Sequence, residues 1–257
     1  MKTQLTLITA AVAIAASFSA NANQDYTDAT LDPNAQAAND TANPFFDDLK
    51  VQRSDMDGFV QGPAGQRTAI VNQNGIDNFA ETSQKGQEQY SNIMQTGDLN
   101  EARVRQNDSQ NESIIVQDGV GNKARVRQLS SELGDSYVNQ YGGDDNNAYV
   151  TQIRTAYSDS MIEQNGSNND ATVRQIDSTD YTWSFIYQEG EFNVADVEQD
   201  MAVSTSSYIY QNGNGGHLAE VYQTGDTHVS TIRQNGSFAY TDVDQSGSGN
   251  TSVVTQW

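Results

Sequence analysis

The chain has 257 residues, of which 34 are acidic and 13 basic, giving a formal net charge of -21 and a mean hydropathy of -0.68. So acidic a chain lacks the basic face that phosphate contacts require, which excludes general nucleic-acid binding as its role. It has no cysteine and little apolar material to offset chain entropy, so a folded state has to draw its stability from regular stacking.

Residues 1–22 read as a secretory signal peptide. Lys2 gives a short positive start, Leu5 to Ala16 form the apolar stretch, and Ala20-Asn21-Ala22 is a small-residue cleavage site. That stretch is too short to span a bilayer, and no later segment is apolar enough to do so. The mature chain is therefore expected to be exported. Residues 23–56 follow no repeat; Pro33, Pro44 and many Asp and Asn mark a flexible acidic segment. Its isolated Phe45 and Phe46 would be the anchors if it instead covers the start of the folded part.

From residue 57 to Trp257 the chain is periodic. Glutamines fall at Gln73, Gln84, Gln95, Gln106, Gln117, Gln128, Gln140, Gln152 and Gln164, then Gln175, Gln188, Gln199, Gln211, Gln223, Gln234, Gln245 and Gln256, with Gln61 one step before them. The step is 11 residues, sometimes 12 or 13, and after Gln95 only Gln110 lies off the series. Two residues before each glutamine the position is Val or Ile, with Thr82 the departure inside the array and Phe59 before Gln61. Four before, it is small, and its identity alternates: Ala80, Ala102, Ala124, Ala148, Ala171, Ala195 and Ala219 against Ser91, Ser113, Ser136, Ser160, Ser184, Ser207, Ser230 and Ser252.

Side chains alternate with a period of two along a strand, so the small residue, the β-branched residue and the glutamine share one face. Each unit is then a short strand, and the Ser/Ala alternation makes the true repeat two strands of 22 to 24 residues. Gly75 and Asn78, Gly97 and Asn100, Gly119 and Asn122, Gly166 and Asn169, and Gly190 and Asn193 mark the turn after each Ser strand. Both residue types tolerate the positive φ that a tight reversal demands. Length variation is confined to turns, as between Gln140 and Ala148 and between Gln175 and Ser184.

A lone strand of this length cannot bury its face, but two facing strands per repeat, stacked at about 4.8 Å, can. The expected fold is all-β, a β-solenoid of stacked strand-turn-strand repeats with eight coils and a final half coil, roughly 40 Å tall. Stacked Gln amides would satisfy one another across the rungs. An antiparallel sandwich gives no reason for the glutamine spacing to persist.

The pattern Ser-x-x-x-Gln-x-Gly-x-x-Asn-x-Ala-x-x-x-Gln, as in Ser113 to Gln128, Ser160 to Gln175 and Ser184 to Gln199, resembles the curlin repeat of curli fibre subunits. The resemblance runs from near Thr68 to Trp257. It departs at Asp145-Asn146, at Gly216-His217 and at Ala239 and Thr241, where looser coils are expected. The resemblance implies export through an outer-membrane secretion pore, polymerisation outside the cell into functional amyloid fibres of a biofilm matrix, and a nucleator subunit as partner.

The last residues, Thr251 to Trp257, complete a Ser-type strand with no partner or capping element expected after it, so head-to-tail addition of a second copy is the expected mode of growth. On the outer face of the Ser strands lie Ile114, Val116, Tyr137, Phe185, Tyr187, Tyr208 and Tyr210, read as a bundling or adhesion face or as scattered β-formers. Arg103, Arg105, Arg125 and Arg127 would stack on successive Ala strands, either as a patch for anionic matrix polymers or as a solvated edge balanced by acids. His217 and His228 are expected at the surface, and the pairs Asp47-Asp48 and Asp144-Asp145 in solvated loops. Gly142-Gly143-Asp144 is a single imperfect calcium-repeat motif. The reading is therefore a structural subunit without cofactor, metal or catalysis. Its alternatives are a minor nucleating subunit and a non-fibrous secreted β-solenoid adhesin.

Overall fold

The structure, a computed structural model, describes residues 67–257. The signal peptide, the segment 23–56 and the pair Phe59 and Gln61 lie outside the described residues. Seventeen strands and no helix occur among the described residues. The odd strands are β1 (Thr68–Asn74), β3 (Tyr90–Thr96), β5 (Glu112–Asp118), β7 (Asp135–Tyr141), β9 (Ser158–Ser167), β11 (Thr182–Glu191), β13 (Ser206–Gly213), β15 (Val229–Asn235) and β17 (Thr251–Gln256). The even strands are β2 (Phe79–Gln87), β4 (Glu101–Ser109), β6 (Lys123–Glu132), β8 (Asn147–Ile153), β10 (Asp170–Ile176), β12 (Val194–Val203), β14 (Leu218–Asp226) and β16 (Tyr240–Ser248).

All odd strands form one nine-stranded sheet and all even strands one eight-stranded sheet, each strand pairing only with the strand two before and two after it in sequence. Every pairing is parallel, and in every one glutamine stands opposite glutamine, as in Gln95↔Gln117 and Gln152↔Gln175. Parallel strands need a crossover; here the crossover is the intervening strand of the other sheet, so the chain winds as a solenoid. The nine-stranded sheet carries the Ser positions and the eight-stranded sheet the Ala positions.

The two sheets face each other across a narrow core. Ile93, Ile115, Val138, Ile162, Ile186, Ile209 and Ile232 on one side meet Val104, Val126, Val150, Val173, Val197, Val221 and Val243 on the other, with the alanines between them. The larger Ile sits beside Ser and the smaller Val beside Ala, so the side chains of the two sheets interdigitate without either bulging the spacing. Inward residues are fixed in this way while the loops absorb the insertions, which leave register intact except at the bulges formed by Ser130 and Met201.

Candidate functional site

The glutamines build two continuous amide ladders. In the nine-stranded sheet the Nε2 of each glutamine donates to the Oε1 of the next, from Gln73 to Gln256, at 2.8–3.1 Å. In the eight-stranded sheet the same links run from Gln84 to Gln245 at 2.8–3.0 Å. From Gln84 onward the second Nε2 hydrogen crosses the core to a carbonyl at the start of the preceding strand of the other sheet. Gln95 reaches Phe79 at 3.0 Å, Gln106 reaches Tyr90 at 2.9 Å, and Gln164 reaches Asn147 at 2.9 Å. One amide thus binds along the stack and across it, and the polar groups buried there are satisfied.

A third ladder runs up the turn after each Ser strand. The Oδ1 of Asn78 accepts the backbone N–H of Asn100, and the pattern repeats through Asn122, Asn146, Asn169, Asn193 and His217 at 3.0–3.2 Å. Their Nδ2 groups donate to carbonyls of the glycine column, as Asn100 does to Gly119 at 2.9 Å and Asn169 to Gly190 at 2.9 Å. The positive φ angles fall on the glycines and on the residue before each asparagine (Asp77, Leu99, Asp145, Phe192), and on none of the ladder asparagines themselves. The sequence reading of Asn as a φ-tolerant turn residue is therefore corrected; its task is to hold backbone N–H groups of the next rung. The glycines are required for two reasons. Gly97 has φ +97°, and a Cβ there would lie inside contact distance of the Gly119 carbonyl oxygen, with Gly166 and Gly190 related in the same way.

Asn146 and His217 occupy the asparagine column, so the ladder passes through two of the three departures and stops at Ala239. Both histidines are fully buried, contrary to the surface placement expected from sequence. His228 stands in the other turn, its Nε2 against the Thr224 carbonyl at 3.0 Å and its Nδ1 3.3 Å from the Asn250 backbone N–H, so the ring imitates an asparagine side chain. His217 Nε2 contacts the Asn212 carbonyl at 3.3 Å. Burial pushes its pKa down, partly opposed by that hydrogen bond. The opposite turns carry a mixed polar column that sequence reading missed: Gln89, Asn111, Ser131 with Thr155, Ser178 and His228. No single residue type repeats there, so no period announces it.

On the outer face of the nine-stranded sheet, Met161, Trp183, Phe185 and Tyr187 form a second apolar cluster with Tyr137, Tyr208 and Tyr210 packed against it. Tyr187 stacks on Tyr210 with centroids 5.1 Å apart. Phe185 is only 2% exposed and Trp183 4%, so these rings make one packed patch and not scattered β-formers. Burial pushes the Glu112 carboxyl up to about 8, and pushes Glu163 up as well, against hydrogen bonds from Tyr141 and Asn139. The eight-stranded sheet differs. Arg103 stacks on Arg125 and Arg105 on Arg127 in adjacent rungs, and Arg103 pairs with Glu101 at 2.7 Å. These are exposed pairs on a solvated face.

Among the described residues the columns stop at two ends: β1 and β17 each have one edge without a described neighbour, as do β2 and β16. Val71 is 44% exposed at the first end, whereas its partner Ile93 one rung in is 0% exposed. Ile70, Ile76 and Phe79 are exposed with it, and Phe238, Tyr240, Val253 and Trp257 at the last end. Arg233 lies over the Trp257 ring at 5.1 Å. The ladders make the ends chemically different. All links point the same way, so among the described residues each ladder begins with the Oε1 of Gln73 or Gln84 and ends with an Nε2 hydrogen of Gln256 or Gln245.

Among the described residues there is no group of three or more His, Asp or Glu side chains that could hold a metal ion, and no helix long and apolar enough to cross a membrane. The fold of the described residues is a two-sheet parallel β-solenoid. Searches against protein-family models and curated proteins found no match to this chain.

Proposed function

We propose that the chain is an exported structural subunit that polymerises by templated strand stacking into extracellular, curli-type functional amyloid fibres. The observation that carries this reading is the complementarity of the two ends of the described ladders. An acceptor end offering Gln Oε1 groups and a donor end offering Gln Nε2 hydrogens continue one another's ladders, while exposed Val71, Phe79, Tyr240 and Val253 are left for a neighbour to bury. Such edges are a hazard in a solitary protein and a device in a fibre subunit. Export, the secretion pore, the nucleator partner and the biofilm role follow from the curlin resemblance and the signal-like first 22 residues. Binding of anionic matrix polymers by the Arg103, Arg105, Arg125 and Arg127 columns is the further partner that the outer face allows.

The test is to incubate residues 23–257 and follow thioflavin fluorescence, electron microscopy and fibre diffraction. Fibres with reflections near 4.8 Å and about 10 Å are expected. A proline at Val71 or Val254 removes an inward edge residue and a backbone donor of a terminal strand, while the coils between stay intact. Either substitution is expected to slow elongation at least tenfold with the monomer still folded. A mature chain that stays monomeric across pH, salt and seeding, or proline variants that grow as the unsubstituted chain does, would sink the proposal in favour of a solitary adhesin.

A further inference from the structure

The outer faces of the nine-stranded Ser sheet and the eight-stranded Ala sheet differ in how far they are open. Side chains one, three and five residues before each glutamine point outward on both. On the Ala sheet, Tyr222 has a paired strand on either side and is still 38% exposed. On the Ser sheet the same kind of position is closed. Tyr187 is 8% exposed, Met161 and Phe185 are buried, and Thr231 on β15 is 1% exposed. Flanking strands alone do not bury an outward side chain so far, as Tyr222 shows. The described hydrophobic residues packed against the Ser-sheet cluster, Tyr137, Tyr208 and Tyr210, belong to the same face. The described strands form only these two sheets, so none of them supplies a layer above it.

Beside the rings runs a column of carboxylates. Glu112, Asp135 and Asp159 stand opposite one another on β5, β7 and β9, and Trp183 continues the column on β11. Glu112 and Asp159 are buried. Like charges on adjacent rungs repel, which favours a cationic occupant at this edge. Among the described residues the outward positions of the Ser strands hold one cation, Arg233, and it lies over Tyr210 and Trp257.

The group that covers this face is therefore apolar over the rings and basic beside the acids. Between residues 23 and 66 one stretch joins the two characters: Phe45-Phe46-Asp47-Asp48-Leu49-Lys50-Val51-Gln52-Arg53. Its Lys50 and Arg53 are the sole basic residues of that segment. Phe59 and Gln61 are set apart from it because they fall in phase with the repeat.

We propose that residues 45–53 dock on the outer face of the Ser sheet of their own chain. Phe45 and Phe46 lie on Met161, Phe185 and Tyr208, and Lys50 and Arg53 lie against Glu112, Asp135 and Asp159, with Asp47 and Asp48 toward solvent. The lengths agree. Arg53 stands 15 residues before Thr68, a link of up to about 50 Å, and the acids are about 10–19 Å up the stack from β1. From Phe45 to Arg53 an extended chain covers about 26 Å, against about 19 Å from β5 to β13. Docked, the segment closes this flank to a neighbouring copy, so lateral pairing through it requires the segment to lift. The contact lies within one chain and is measured on the monomer, so it does not depend on the proposal that the chain polymerises.

The test uses residues 23–257 at concentrations below fibre formation. The chain has two tryptophans, so Trp257→Phe leaves Trp183 as the single reporter of the face. Its emission is expected to be blue-shifted and poorly quenched by acrylamide. Phe45→Asp with Phe46→Asp opens Trp183 from 4% toward the 38% of an uncovered position, so its quenching constant is expected to rise roughly threefold or more. Circular dichroism should stay unchanged, since these residues lie outside the solenoid. Lys50→Glu with Arg53→Glu is expected to act in the same direction, and Phe45→Leu with Phe46→Leu to leave quenching near that of the parent.

A second readout keeps the segment's charges and bulk. Phe46 is replaced by the photoreactive p-benzoylphenylalanine, and light is expected to join position 46 to β9, β11 or β13 within one chain. Quenching that stays low in the Asp and Glu variants overturns the inference. So does protection of Trp183 that falls on dilution of the parent, which makes a second copy the cover. Cross-links to the Ala sheet, to the first coil or between chains, or no cross-link at all, overturn it equally.

Discussion

Gln164 sits in the middle of the Ser-sheet ladder, and its removal tests what holds the solenoid together. Its Nε2 donates to Gln188 at 2.8 Å and to the Asn147 carbonyl at 2.9 Å, and its Oε1 accepts from Gln140 at 2.8 Å. In Gln164→Ala, three groups lose a partner inside the core. Each such loss costs about 1–3 kcal/mol, and the vacated side-chain volume adds a cavity term. Gln140 keeps its bond to Lys123, which holds the sum near the lower end, at roughly 3–5 kcal/mol against a total stability of about 5–15 kcal/mol for a domain. Gln256→Ala at the half-exposed last rung is expected to cost only about 1 kcal/mol while slowing elongation. Gln164→Leu separates the terms, since it refills the volume without restoring a hydrogen bond. The assay is urea unfolding of the monomer followed by circular dichroism, at concentrations below fibre formation. If Gln164→Ala costs less than about 1 kcal/mol, or if Gln164→Leu regains full stability, the amide ladder is not what binds the rungs.

The serine hydroxyls of Ser113, Ser184, Ser207 and Ser230 are buried without a hydrogen-bond partner, so Ser184→Ala is expected to leave the melting temperature unchanged or raise it; a loss above about 1 kcal/mol would show that the hydroxyl is used. Gly166→Ala forces a Cβ toward the Gly190 carbonyl at positive φ and is expected to cost about 3 kcal/mol or more, against about 1–2 kcal/mol at Gly247, where the positive φ remains but nothing lies within contact distance, as read by thermal melts. Glu112 has an ordinary value near 4.5 that burial raises to about 8, so the folded state holds a proton that the unfolded state releases. Its contribution is fully present below about pH 4.5 and is lost as pH rises through about 8; stability should fall by up to about 1.4 kcal/mol per pH unit in that window, and Glu112→Gln should flatten the profile measured by denaturant titration at several pH values.

The inward half of this fold was legible in the sequence because the same three side chains have to recur at each rung. A parallel stack in register sets Gln on Gln and Ile on Ile or Val, so the physical constraint is itself a period, and counting recovers it. The glycine and asparagine columns were legible for the same reason, although the conformational task assigned to asparagine belonged to its preceding neighbour. The second set of turns was not legible, because Gln89, Asn111, Ser131, Thr155 and His228 all present some donor or acceptor to the rung above or below. A requirement for any small polar group leaves no residue-type signature. The burial of His217 and His228 was hidden likewise: each is a lone substitution in a column, and only the register shows that the column is internal.

The outer faces obey a different logic, and that difference bears on assembly. In the core the sheets differ only by Ser with Ile against Ala with Val. Outside, the sheets are unlike. One carries the packed rings of Tyr137, Phe185, Tyr187 and Tyr208, and the other carries stacked Arg103 with Arg125 and Arg105 with Arg127. In a polymer that continues the stack in register, each flank of the fibre is uniform along its length, one aromatic and one charged. Lateral association is then expected through the aromatic flank alone, because the stacked arginines of the other flank repel their like and stay solvated.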